Sequence, residues 1–239
     1  HGLYLRSGYN LTNSQKMHIV KGHLLLVTSG YTVKTVDLST VRTDEAGLVQ
    51  EITMGSMGLS RVVELYWCEP NLYVLTEQAV ILIRQDMKRK GLDTAITAQQ
   101  SIVDKYMAIS ASRRHVYVGG ASSISMFAVL TLSYVCSIAF TNYRSSISSG
   151  STIMRLLPLA VRKRELLAVL TCTNDIYLLC AVRGEGGIAM HKLAYESGVP
   201  HGLRNRWCDC RYDQRRQQIL IAGEMNILHT VDIKFKDES

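Results

Sequence analysis

The chain has 239 residues, 47% hydrophobic and 20% charged with only three prolines, and its 27 basic against 20 acidic residues leave a formal net charge of +7. That balance excludes a disordered chain, and the length is enough to bury a sizeable core. The longest mostly apolar stretch, Ser125 to Phe140, is interrupted by Thr131, Ser133 and Tyr134 and falls short of the roughly 20 apolar residues a membrane-spanning helix needs.

Apolar and polar residues alternate in short runs separated by turn residues, the pattern of half-buried strands. A first group comprises Lys16 to Val20, His23 to Ser29, Thr32 to Leu38 and Leu48 to Met54. A second comprises Val62 to Cys68, Leu72 to Thr76, Ala79 to Gln85 and Thr94 to Gln99. The third runs Tyr106 to Ser110, His115 to Gly119, Ser123 to Leu130 and Tyr134 to Phe140. The fourth runs Ile153 to Ala160, Glu165 to Thr171, Ile176 to Val182 and Ile188 to Ala194. The fifth has three strands, Arg206 to Tyr212, Gln218 to Ala222 and Ile227 to Phe235.

With Leu24, Leu72, Val116, Leu167 and Ile219 taken as equivalent, the groups recur at steps of 48, 44, 51 and 52 residues. A period of that size filled with short strands is what a β-propeller blade produces. The expected fold is all-β: one propeller domain over residues 1–239 with five four-stranded blades. The spare N-terminal strand Gly2 to Ser7 would complete the last blade and remove exposed edges. The alternative is part of a six- or seven-bladed ring. Because the chain opens at His1, it is expected to be a fragment of a longer one. Thr141 to Thr152, with five serines, reads as a connection between blades.

The segment Val27-Thr28-Ser29-Gly30-Tyr31-Thr32-Val33-Lys34-Thr35-Val36-Asp37-Leu38-Ser39 is similar to the second half of a WD40 repeat, where a glycine turn leads to a strand ending in Trp-Asp. Val36-Asp37 stands where that pair would be. In the fifth group Arg211-Tyr212-Asp213 begins a turn, Gln218 to Gly223 is the next strand, and Val231-Asp232 closes it. The third group gives Ser112 to Gly120 and Ser123 to Val129 without an acidic closing residue. The chain thus resembles the WD40 family over most of its length, without a Trp-Asp pair to carry that family's buried hydrogen-bond tetrad. The resemblance implies a rigid interaction platform.

The basic residues collect at strand connections. Arg113 and Arg114, Arg162, Lys163 and Arg164, and Arg215 and Arg216 fall in first-to-second strand hairpins; Lys88, Arg89, Lys90 and Arg183 fall in third-to-fourth connections. In a propeller these connections open on one face, so they form a cationic arc, interrupted at Glu69-Pro70. Such an arc is either solvated surface that deters aggregation or a docking face for an acidic partner: a protein, or in the alternative RNA or an anionic lipid headgroup. Bases would need aromatic platforms beside the cations. Tyr117, Tyr143 and Tyr212 are near, but Tyr117 falls inside a strand.

Five-bladed rings also host glycoside hydrolases, which need paired carboxyl groups on inner strands. Glu64 and Asp209 are the candidates, with Asp104 and Asp213 nearby, and each also serves as an ordinary strand-end or turn residue. Trp67 and Trp207 read as core packing. The histidines are scattered without metal-ligand spacing, and the shared repeat position of His23 and His115 points to a turn role. Six cysteines, none in a CxxC pair, read as reduced and mostly buried thiols of an intracellular protein. No nucleophile elbow occurs, and Gly184-Glu185-Gly186-Gly187 is a turn that leads into no helix, so no cofactor, metal or catalytic residue is expected. The reading is a non-catalytic protein-interaction scaffold inside an intracellular assembly.

Overall fold

The computed structural model describes residues 16–20, 24–29, 32–37, 48–53, 60–86, 91–92, 96–120, 123–139, 153–161, 163–197, 207–223 and 228–234. Among them there are twenty strands, and no helix is long and apolar enough to cross a membrane. The chain divides into two compact units, His1–Val103 and Asp104–Ser239.

The first unit holds two antiparallel sheets. β1 (Lys16–Val20), β2 (Leu24–Ser29), β3 (Thr32–Asp37) and β4 (Leu48–Thr53) pair in chain order. β5 (Val62–Cys68), β6 (Asn71–Thr76) and β7 (Ala79–Asp86) form the second sheet. Its fourth position is shared by two short pieces on β7, β8 (Gly91–Leu92) at Gln85 and Asp86, and β9 (Ala98–Ser101) at Ala79 to Leu82. The single strand expected over Thr94 to Gln99 is therefore corrected. Gly91–Leu92 pairs with the end of β7, and Ala98–Ser101, with alternating burial, pairs with its start. β6 is buried at every position. Leu72, Val74, Ile81 and Ile83 from this sheet pack with Val33 and, half-buried, Trp67.

The second unit holds three sheets. β10 (Tyr106–Ala111), β11 (His115–Gly120), β12 (Ser123–Ala128) and β13 (Tyr134–Ala139) form the third sheet. β14 (Ile153–Val161), β15 (Arg164–Thr171), β16 (Asp175–Gly184) and β17 (Gly187–Ser197) form the fourth. β18 (Trp207–Asp213), β19 (Gln218–Gly223) and β20 (Leu228–Asp232) form the fifth. The stretch Ser125 to Phe140 is two strands and a turn, as its polar interruptions require. The fourth-sheet hairpin β16–β17 is longer than expected, because Gly184 pairs with Gly187 and extends the ladder. The proposed closing strand Gly2 to Ser7 and the connection Thr141 to Thr152 lie outside the described residues.

Period-two alternation lets the third, fourth and fifth sheets pack apolar side chains against their neighbours. Tyr117, Met126, Leu167, Val169 and Leu179 fill the seam between the third and fourth sheets. Leu166, Ala168, Leu170, Trp207, Ile219 and Ile221 fill the seam between the fourth and fifth. Fully burying a Val, Leu or Ile side chain contributes about 1.5–3 kcal/mol, so these seams hold the sheets together. The expected core roles of Trp67 and Trp207 are met.

Near its start the first strand of the second, third, fourth and fifth sheets carries a bulge, after Val62, Tyr106, Ile153 and Trp207. The residue following each bulge is Glu64, Ala108, Arg155 or Asp209, so both carboxylates considered for hydrolysis occupy one repeat position. Facing these bulges, Gly119 and Gly120 end β11 where the second and fourth sheets have Leu75-Thr76 and Leu170-Thr171. A Cβ on Gly119 would meet Ile153 Cγ2 at 2.9 Å, and one on Gly120 would collide with the Lys105 carbonyl oxygen. Glycine is what lets β14 approach the third sheet there.

Candidate interaction face

In each antiparallel sheet the first-to-second and third-to-fourth connections fall at the same end. Within the second unit, hydrogen bonds between the hairpin of the third sheet and the start of β15 put those two sheets the same way up. At the other end, the side chain of Arg155 on β14 meets that of Asp209 on β18, and the Asn174 side chain accepts the Trp207 backbone N–H at 2.9 Å. The hairpin ends of the third, fourth and fifth sheets therefore share one side.

The third-sheet hairpin is built by Ser112. Its Oγ accepts the backbone N–H of Arg114 at 3.0 Å and of His115 at 2.9 Å, a side-chain-closed turn that leaves Arg113 and Arg114 exposed at the tip. The β12–β13 turn is tied to it, because Val129 N–H donates to the Arg114 carbonyl at 3.2 Å. In the fourth sheet Val161 pairs with Arg164, and Lys163 in the two-residue turn sits at φ +65°. That left-handed conformation disfavours a Cβ. In the fifth, Asp213 Oδ1 accepts the backbone N–H groups of Arg215 and Arg216.

Glu165 joins the first two hairpins. It is the second residue of β15 and alternates with Leu167 and Val169, so it points into the apolar seam. Its Oε1 accepts from Ser112 Oγ at 2.6 Å and Tyr117 OH at 2.6 Å, and lies 3.2 Å from His115 Nδ1. Burial pushes its pKa up, but the three donors from the third sheet outweigh that and hold it below the usual glutamate value. Burial, then the hydrogen bond to Glu165, drive the Tyr117 hydroxyl far above its ordinary value. His115 thus fills a structural hairpin role, as its repeat position suggested.

The structure exposes Arg113, Arg114, Lys163, Arg164, Arg183, Arg215 and Arg216. Lys88, Arg89, Lys90 and Arg162 lie outside the described residues. Arg216 Nε is 3.9 Å from Asp213 Oδ2, whereas Arg113, Arg114, Lys163 and Arg183 make no ion pair among the described residues. The cationic character therefore concentrates on the third and fourth sheets. Of the tyrosines considered as base platforms, Tyr117 is buried and Tyr212 half-buried, and Tyr143 lies outside the described residues.

Alternation in the sequence puts Glu165 on the same side as Leu167, which was the available signal for its inward direction. Three apolar groups were also missed: Leu130, Tyr134 and Val182, exposed at 54%, 57% and 47% at the same end as the cations.

The hydrolase candidates serve the bulges. Glu64 Oε1 accepts the N–H of Leu65 at 3.2 Å, and Asp209 Oδ1 accepts the N–H of Cys210 at 2.9 Å. Asp209 also meets Arg155 Nε at 3.1 Å and Arg211 at 3.8 Å. Among the described residues no three His, Cys, Asp or Glu side chains gather as metal ligands. All six cysteines are free thiols, but only Cys210 is buried, its thiol pushed up to about 12 chiefly by that burial. The other five are half-buried, which corrects the expectation of mostly buried thiols: Cys68 and Cys172 lie at hairpins and Cys136 on a fourth strand, while Cys180 lies within β16 and Cys208 near the start of β18.

No protein-family model and no curated protein matches the chain. Solved structures do. A chain of a mitotic checkpoint complex superposes with a TM-score of 0.61 at 12% identity, over 89% of this chain and 62% of that one. The β-propeller domain of Cps50 (Swd1) from Myceliophteria thermophila gives 0.59 at 13%, over 94% and 68%. The dihydro-heme d1 dehydrogenase NirN gives 0.64 at 13%, over 92% and 45%. The chain spans 62% of the first of these and 45% of the third. Identities this low carry the architecture and no activity, and an oxidoreductase stands among the likenesses. What sheets and likenesses together establish is the fold: antiparallel sheets of the β-propeller kind.

Proposed function

We propose that the protein is a non-catalytic interaction scaffold of an intracellular multiprotein assembly, docking an acidic partner on the hairpin end of its sheets. The observation that supports this most directly is the gathering of Arg113, Arg114, Lys163 and Arg183, exposed and without ion pairs among the described residues, at one end of the third and fourth sheets, where Ser112 and Glu165 join the two first hairpins. Exposed cations on a pre-ordered surface speed and orient association with a negatively charged partner. The five sheets serve in this reading as consecutive blades of one domain, with Gly2 to Ser7 completing the fifth. The six free thiols suit a reducing compartment.

The test is affinity capture with mass spectrometry on the wild type and on a variant with Arg162, Lys163 and Arg164 changed to Glu. The reading expects a partner set captured by the wild type at about 0.1 M salt, where screening is modest, and lost from the variant. Retention of the same partners with unchanged salt dependence overturns it.

A further inference from the structure

We infer that the hairpin end of the third and fourth sheets binds a short protein segment that is both acidic and apolar. This rests on the docking reading above and gives it a partner class. Charge alone describes only half of this surface. The cations there, Arg113, Arg114, Lys163, Arg164 and Arg183, face two carboxylates among the described residues, Glu165 and Glu185. Glu165 is already committed to Ser112, Tyr117 and His115. At the same end of those sheets stand three large exposed apolar groups. Leu130 and Tyr134 flank the β12–β13 turn, whose Val129 N–H is bonded to the Arg114 carbonyl, so they lie at the same end of the sheet as the Arg113–Arg114 tip. Val182 precedes Arg183 on the projecting end of β16.

The apolar groups are held out. Leu132, in the same turn, takes φ +55° and is fully buried, with its N–H on the Ala128 carbonyl at 2.9 Å. That inward anchor fixes the turn and turns Leu130 outward. The Tyr134 ring packs edge-on against Phe127, with centroids 6.0 Å apart, and its hydroxyl donates to Ser137 Oγ at 3.0 Å. One face of the ring is thus braced while the side chain remains more than half exposed. A braced tyrosine and an aliphatic group among arginines is the composition of an interface centre, where Tyr and Arg dominate binding. A nucleic acid would need several aromatic platforms for successive bases. Tyr134 is one, and its neighbours Leu130 and Val182 are aliphatic, so the surface suits a polypeptide whose carboxylates meet the cations while its aliphatic or aromatic side chains cover Leu130, Tyr134 and Val182.

The experiment is fluorescence anisotropy of the full chain with three labelled probes. They are a twelve-residue peptide alternating Glu or Asp with Leu and Phe, the same peptide with every Leu and Phe replaced by Ser, and a single-stranded RNA dodecamer. The first peptide is expected to bind at least tenfold tighter than the second. Leu130→Ser is expected to weaken it severalfold, and joint Arg113→Glu and Arg114→Glu at least tenfold. Leu130 is exposed and its side chain carries no hydrogen-bonding group, so Leu130→Ser keeps the test sound if Tyr134→Ser perturbs folding through Phe127. Equal affinity for both peptides, lost on charge reversal, overturns the apolar component and leaves the docking reading standing. Tighter binding of RNA overturns the partner class. Binding of none, with the circular dichroism spectrum intact, overturns both this inference and the docking reading.

Discussion

The two ends of the third and fourth sheets handle charge in opposite ways. At the hairpin end, Arg113, Arg114, Lys163 and Arg183 stand exposed without ion pairs among the described residues, above one half-buried carboxylate, Glu165, that takes three donors. At the other end carboxylates predominate and are engaged. Asp209 meets Arg155, Asp175 accepts from Thr173 Oγ1 at 2.7 Å and Tyr195 OH at 2.9 Å, and Asp104 accepts from Tyr106 OH at 3.3 Å. Charges satisfied within the fold are structural; charges the fold leaves unanswered are available to a partner. The difference also shows where polar contacts hold sheets together, because a half-buried hydrogen-bonded carboxylate stabilises far more than an exposed ion pair.

Removing Glu165 breaks the comparison most severely. Glu165→Ala strips Ser112 and His115 of a partner and leaves the buried Tyr117 hydroxyl unsatisfied, and roughly 2–4 kcal/mol of stability should be lost in urea unfolding. The pH dependence follows from the lowered pKa. A carboxylate with a depressed folded-state pKa contributes stability that is present above its unfolded value of 4.5 and is lost as pH falls through the folded value. Wild type should therefore lose more stability than Glu165→Gln between pH 5 and the acid limit, and parallel acid limbs would contradict the arrangement.

A smaller effect, of opposite sign, is expected at Lys163. Lys163→Gly relieves the left-handed backbone and should raise stability by about 0.5–1 kcal/mol once glycine's entropy is allowed for, while weakening partner binding. A stabilised variant with full binding would show that the lysine serves only solubility. The smallest effect belongs to the other end. Arg155 and Asp209 are 47% and 42% exposed, so Arg155→Ala should cost between 0 and about 1 kcal/mol and the difference should shrink in high salt. A larger, salt-insensitive loss would mean that the bulge pair, and not the Glu165 contacts, locks neighbouring sheets.

Much of the fold could be read from the chain because a strand's side-chain period is two and its turns are chemically marked. Lys16 to Val20 and Val62 to Cys68 match their expected bounds, and most other strands fall within a residue or two. The failures have local causes. Two short pieces, Gly91–Leu92 and Ala98–Ser101, share the outer position of the second sheet where one run was expected, and the Gly184–Gly187 pair lengthens the β16–β17 hairpin because a glycine pair extends a ladder without adding to an apolar pattern. The basic tips of the second unit were legible as runs of Arg and Lys. The apolar half of that surface was not, since Leu130 and Val182 continue alternating runs and look like core; only the buried, left-handed Leu132 shows which leucine of its turn faces inward. Glu165 was hidden by its place beside a basic run, where a carboxylate suggests solvent.

The most direct measurement is covalent footprinting of the protein with and without its captured partner, using phenylglyoxal for arginine and acetylation for lysine. Arg113, Arg114, Lys163 and Arg183 should lose reactivity in the complex while Arg155 and Arg211 keep theirs. Protection at Arg155 and Arg211 with the hairpin cations unchanged would contradict the assignment of the docking surface.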